Sequence, residues 1–171
     1  QLYGNASSMH LFGGQVKKLI DEARARVAAL INADPAEIIF TSCGTESDNA
    51  AIRGSLMAQP DKKHIITSRV EHPAVKNLFQ QLGKSGYRVS EISVDRFGRI
   101  DLDELNEKLD ADTALVSVMW ANNETGVIFP IQEIAELVKS RGAYFHTDAV
   151  QAAGKVTINM KKTPVDMLSI S

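Results

Sequence analysis

One cysteine, Cys43, stands alone in 171 residues, so no internal disulfide can form and no zinc site can be built on cysteine pairs. We expect a reducing compartment, the cytoplasm. An excess of one charge is also missing. The 19 Lys and Arg against 21 Asp and Glu leave a net charge of -2, which offers a phosphate backbone no broad basic surface and argues against a nucleic-acid partner. The longest apolar stretch, residues 114–121, is interrupted by Ser117 and falls far short of the roughly 20 residues a bilayer requires, so no membrane association is expected. Repeats, low-complexity tracts and linkers are absent. So are the nucleotide fingerprints: no G-x-G-x-x-G occurs, and Gly83-Lys84-Ser85 lacks the upstream glycine of a phosphate loop, position 78 being leucine. The four histidines include no H-E-x-x-H or Cys-His pairing, and no metal site is expected. The chain opens at Gln1 without methionine and stops at Ser171 inside an apolar run with no turn signal behind it, and we expect truncation at both ends.

What is present is the composition of a globular domain, 44% hydrophobic and 23% charged. Val16, Leu19, Ile20, Ala23, Val27, Leu30 and Ile31 fall on one helical face, predicting an amphipathic helix over residues 16–32. A β-rich run at 37–41, a tight loop at 42–45 and a helix over 46–57 follow. The alternation then repeats: strand 65–68, a helix carrying Val75, Leu78, Phe79 and Leu82, strand 89–94, short helix 101–109, strand 115–120, helix 130–142 and strand 143–147. Two further apolar runs lie at 156–158 and 167–170. Such alternation predicts an α/β fold of three layers, a mostly parallel sheet flanked by helices.

Ligands of open parallel sheets bind beyond the carboxyl ends of the strands, which directs attention to four places. In the first, Gly44 allows close backbone approach and Thr45 adds a hydroxyl at a helix start, a combination suited to phosphate. Taken alone, the same residues also read as an ordinary turn with Thr45 as helix N-cap and Asp48 three residues on. Cys43, beside them, is not read as a nucleophile: a helix start lowers a thiol's pKa, but a phosphate in the same loop would raise it again. In the second, His72 precedes Pro73 and brings its ring over a cleft. The third is Asn122-Asn123-Glu124, and the fourth His146-Thr147-Asp148 with Gln151. His146, inside a strand, reads as a packing or locally paired residue. Asp148 at a strand end is costly to desolvate without a cationic partner, such as a protonated ring nitrogen.

These residues occur within motifs that resemble those of the cysteine desulfurases, pyridoxal-phosphate enzymes of aminotransferase-like fold (fold type I). The motifs are Gly4-Asn5-Ala6-Ser7-Ser8-Met9-His10, the run 40–49 (F-T-S-C-G-T-E-S-D-N), Glu71-His72-Pro73-Ala74-Val75, Asn122-Asn123-Glu124-Thr125-Gly126, and 146–151 (H-T-D-A-V-Q) with Gly154-Lys155. The run 42–48 and the segment 117–123 look most like the nitrogen-fixation type, while Ala6 stands where the family usually has proline, a change that alters loop stiffness more than chemistry.

The resemblance implies that residues 1–171 are a pyridoxal-phosphate-binding large-domain fragment. Gly44, Thr45 and Ser171 would hold the phosphate, His72 would stack on the ring and relay protons, and Asp148 would pair with the ring nitrogen. Gln151 would meet the phenolic oxygen, and Asn123 would lie between that oxygen and the substrate carboxylate. The implied reaction takes sulfur from L-cysteine, leaving L-alanine and an enzyme persulfide for iron-sulfur cluster assembly on a scaffold protein, with a homodimer as the working form. The Schiff-base lysine and nucleophilic cysteine of the family would lie beyond Ser171, Lys155 not matching, so the fragment alone is expected to be inactive. Other readings are a selenocysteine lyase of the same fold and a non-catalytic remnant. A nicotinamide oxidoreductase would suit the α/β pattern but lacks the phosphate fingerprint.

Overall fold

The structure is a computed structural model and describes residues 4–8 and 10–171; Gln1, Leu2, Tyr3 and Met9, the last within the first motif, lie outside the described residues. Five strands, β1 (His64–Ser68), β2 (Arg88–Ile92), β3 (Thr113–Ser117), β4 (Tyr144–Asp148) and β5 (Met167–Ser169), form one sheet in the order β2-β1-β3-β4-β5. Every pairing is parallel. The helices described are α1 (Leu11–Ile31), α2 (Gly44–Ala58), α3 (Pro73–Lys84), α4 (Leu102–Lys108) and α5 (Ile131–Ser140).

The period of two in the strands sorts the core onto two faces. Ile65 and Leu115 point to one side, where they meet Ile52 and Leu56 of α2 and Val75, Leu78, Phe79 and Leu82 of α3. Ile66, Val116 and Phe145 point to the other, into a larger cluster with Leu105 of α4 and Ile134, Ala135 and Val138 of α5. Central strands β1 and β3 are therefore buried along their whole length, with Ile65 and Ile66 and residues 114–116 apolar on both faces and buried polar side chains at the strand ends. Three layers with a parallel sheet in the middle match the expected fold.

Some elements differ from expectation. Helix α1 begins at Leu11, five residues before the periodic pattern, because His10 caps it by accepting from the Gly13 N–H at 3.1 Å. Its expected core face is mostly outside: Leu19 is 51% and Leu30 53% exposed, and Ala28 and Ile31 are its buried apolar side chains. The run 37–41 is not a strand. Asp34 and Glu37 form a capping box around the 3-10 turn Pro35–Glu37, and the Ile38 carbonyl is taken by Arg24 of α1. Among the described residues no strand pairs with this segment, and Ile39 is left 84% exposed. Residues 156–158 form no strand either, and β4 extends one residue past the expected strand 143–147 to end at Asp148.

Candidate functional site

The connection from β1 runs to β2 at one side of the sheet and that from β3 to β4 at the other, so the crevice between the carboxyl ends of β1 and β3 is the switch point where ligands bind in such sheets. A cavity of about 260 Å³ opens there. Gly44 and Thr45 of α2, His72 at the start of α3, Asn123, Asp148, Gln151 and Ser171 all line it. The residues singled out from the sequence are thus brought together from segments up to 127 positions apart. Asp48, Met119 and Val150 line it as well.

One end of the cavity suits an anion. Helix α2 is 15 residues long, and its N-cap is Cys43, which makes no side-chain capping bond. Thr45 is therefore a first-turn residue, not the N-cap, and Asp48 belongs to no capping box, because the Glu46 carboxylate folds back onto the Ser42 N–H at 2.6 Å instead. The first-turn N–H groups at the positive end of the helix are left for a ligand. A Cβ at Gly44 would stand 3.4 Å from Val150 Cγ2 and 3.5 Å from Ser171 Cβ, so glycine keeps this end open. The nearby Glu46 N–H, which would favour a thiolate there, lowers the pKa of the exposed Cys43 thiol without forming a capping bond to it.

The other end suits a cation. Asp148 is 7% exposed, and the Val150 N–H donates to its Oδ1 at 3.0 Å. Burial raises its carboxyl above the usual range, with His72 pulling the other way. A carboxylate buried this deeply requires a positive partner from the cavity. The donor set therefore fits an elongated group with a phosphate at one end and a protonated ring nitrogen at the other, as the resemblance implies. His72 is the N-cap of α3, its Nδ1 accepting from the Ala74 N–H at 3.2 Å, which leaves Nε2 as the donor at the cavity edge. Asn122 shapes the loop that carries Asn123, its Oδ1 accepting from the Glu124 and Thr125 N–H groups at 3.0 and 2.9 Å. Gln151 Oε1 accepts from Lys155 Nζ at 2.7 Å.

A buried polar layer lies beneath, and the sequence reading assigned its residues no role in the site. His146 is fully buried between the Ser117 and Ser169 hydroxyls, at 2.9 and 3.0 Å, and desolvation pushes its pKa down to about 3. It is locally paired, as expected. Glu71 accepts from the Met119 N–H at 3.0 Å and from the Ser68 hydroxyl, and burial pushes it up to about 8. Asp48, 1% exposed, is pushed up to about 7 by burial and then by Asp148. The sequence carried one signal for these acids, their position beside strand ends or inside a helix facing the sheet. Among the described residues no group of three His, Cys, Asp or Glu side chains converges to hold a metal.

The family described as Aminotransferase class-V matches residues 1–171. A cysteine desulfurase of Nostoc sp. is 61% identical over 169 residues, covering 99% of this chain and 42% of that protein. The cysteine desulfurase NifS of Azotobacter vinelandii is 52% identical over 169 residues, 98% of this chain and 42% of that one. Among solved structures, a NifS-like protein superposes with a TM-score of 0.96 at 38% identity, over 100% of this chain and 48% of that one. SspA in complex with cysteine gives 0.95 at 33% identity, over 99% of this chain and 49% of that one. The chain spans about two-fifths of the length of the curated relatives it matches.

Proposed function

The chain belongs to the class-V aminotransferase family, and from this premise we propose that the protein carrying it is a cysteine desulfurase whose cofactor, pyridoxal 5'-phosphate, lies in the cavity between Thr45 and Asp148. Residues 1–171 then act as the cofactor-binding part of its large domain. The bound cofactor supplies an electron sink for the substrate α-carbon. Asp148 holds the proton on the ring nitrogen, and Gly44 and Thr45 at the α2 N-terminus, with the Ser171 hydroxyl, hold the phosphate. His72 covers the ring and moves a proton at its Nε2. Gln151 donates to the phenolic oxygen, and Asn123 reaches the substrate carboxylate. The products are L-alanine and a protein persulfide delivered to an iron-sulfur scaffold; similarity to NifS favours a role in nitrogen fixation, with a cytoplasmic homodimer as the working form.

The observation that carries this reading is the opposition of an uncapped helix N-terminus and a buried carboxylate across one cavity. No lysine lines that cavity among the described residues; the Schiff-base lysine and the sulfur-accepting cysteine are assigned to sequence following Ser171, and the 171 residues alone do not desulfurate cysteine. The test is an absorbance titration of the full-length apoprotein with pyridoxal phosphate, followed by sulfide release. Asp148→Asn should weaken cofactor binding by about a hundredfold, the cost of unpairing a buried charge. A wild type that develops no cofactor band overturns the reading, and sulfide above background from the 171-residue piece overturns its inactivity.

A further inference from the structure

Of the four residues that join β1 to α3, Arg69 and His72 are exposed and Val70 is half-buried, whereas Glu71 is 6% exposed. Its carboxyl reaches across to the chain that continues β3, where Oε1 accepts from the Met119 N–H at 3.0 Å and from the Ser68 hydroxyl.

The backbone at that point explains why a side chain is needed. Past the end of β3 the Val118 and Trp120 N–H groups still donate toward β4, to the carbonyls of His146 at 3.2 Å and Asp148 at 2.8 Å. Successive N–H groups of an extended chain point to opposite sides, so the Met119 N–H faces the side of β1. Strand β1 has already ended at Ser68, and the Arg69 N–H turns away to the Ile92 carbonyl of β2 at 3.1 Å. Glu71 Oε1 therefore stands where the next carbonyl of β1 would have been, on a buried N–H that would otherwise be left unpaired.

His72 follows directly in the chain. Its ring is fixed to its own backbone by accepting from the Ala74 N–H at 3.2 Å, so where the ring stands at the cavity depends on where the loop is anchored. Met119, at the other end of the clasp, lines the same cavity. We propose that Glu71 is a positioning residue, a carboxyl that substitutes for a strand carbonyl at Met119 and thereby sets His72 over the cofactor ring. The clasp itself stands without the cofactor reading; its consequence for His72 rests on that reading.

The test uses the full-length protein and three substitutions. Glu71→Gln keeps an acceptor oxygen at the same reach, Glu71→Asp keeps the acid but shortens it by one methylene, and Glu71→Ala removes both. In the apoprotein, hydrogen exchange of the Met119 amide should quicken by about tenfold in Glu71→Asp and Glu71→Ala and stay at the wild-type rate in Glu71→Gln. In the holoenzyme, kcat for sulfide release should fall about tenfold in Glu71→Asp, with KM for cysteine within about twofold of wild type, and Glu71→Gln should restore it. A role confined to stability would not pass through His72, so the visible circular dichroism of the bound cofactor supplies the discriminating reading: Glu71→Asp should lower it by about twofold alone and leave it unchanged when added to His72→Ala. Unchanged Met119 exchange in Glu71→Asp, a Glu71→Gln variant as impaired as Glu71→Asp, or a further change on top of His72→Ala would each overturn the proposal. The exchange reading needs no cofactor, so a wild type that fails to bind pyridoxal phosphate overturns the functional reading and leaves the clasp standing.

Discussion

Asn122 Nδ2 donates to the Val70 carbonyl at 3.1 Å, tying the loop that follows β3 to the loop that follows β1 at the point where the chain connections part. The same side chain takes three donors from residues 124 and 125 through its Oδ1. Asn122→Ala would strip all of these at once. We expect a loss of about 1–3 kcal/mol in stability, the usual cost of leaving buried polar groups unpaired, together with weaker cofactor binding because Asn123 is no longer held at the cavity. Urea denaturation of the full-length protein reads the first; an unchanged midpoint would contradict it.

His146 should respond to acid in a defined direction. Its pKa is pushed down to about 3 in the fold against about 6.5 in an unfolded chain, so the unfolded state takes up the proton first. Its stabilising contribution is complete above about pH 6.5 and drains away as the pH falls toward 3, at up to about 1.4 kcal/mol per pH unit. His146→Leu leaves the Ser117 and Ser169 hydroxyls short of a partner and should be less stable at neutral pH. Its stability should also fall less steeply in acid than the wild type's, and parallel slopes would rule out a neutral, buried imidazole.

Glu71 acts in the opposite sense. With its pKa raised to about 8 by burial against about 4.3 unfolded, the folded protein keeps a proton that the unfolded chain releases. Stability from this group is full below about pH 4.3 and is lost as the pH rises through 8. Glu71→Gln removes that loss, so its urea midpoint should gain on the wild type steadily between these limits. A wild-type profile as flat as the variant's would show that Glu71 is ionised in the fold.

Cys43 lines the cavity at the start of α2 with its thiol pKa lowered. Iodoacetamide should alkylate it faster than a free cysteine near neutral pH, because the thiolate is the reacting form. Pyridoxal phosphate should slow that alkylation by covering the α2 N-terminus. Peptide mass spectrometry of the Cys43 segment follows both rates, and equal rates with and without the cofactor would place the phosphate elsewhere.

The alternation of strands and helices was legible in the sequence because a parallel sheet covered on both faces imposes apolar runs such as 114–116, separated by one-sided helices such as α3. The residues around the cavity were legible for a related reason. They sit at the last residue of a strand, at Asp148, in the loop that follows one, at Asn123, or at a helix start, at Thr45 and His72, and a parallel sheet leaves those positions at one edge. Local pattern failed where a tertiary contact competed with it. Ile38 to Thr41 has strand composition, but Arg24 and a capping box hold it against α1, and the apolar stripe of α1 did not reveal that Leu19 and Leu30 lie outside.

The sequence by itself determined the fold class, the order of the elements and the set of polar residues that follow them, since each is written in periodicities and turn signals of a few residues. Only the tertiary structure decided how the buried acids are matched. Ser47 meets Ser169 across 122 residues and His146 meets Ser117 across 29, so whether Asp48 finds a donor depends on three strands and a helix closing over it. Desolvation and hydrogen-bond direction are properties of that closed interior, and no local run of residues encodes them.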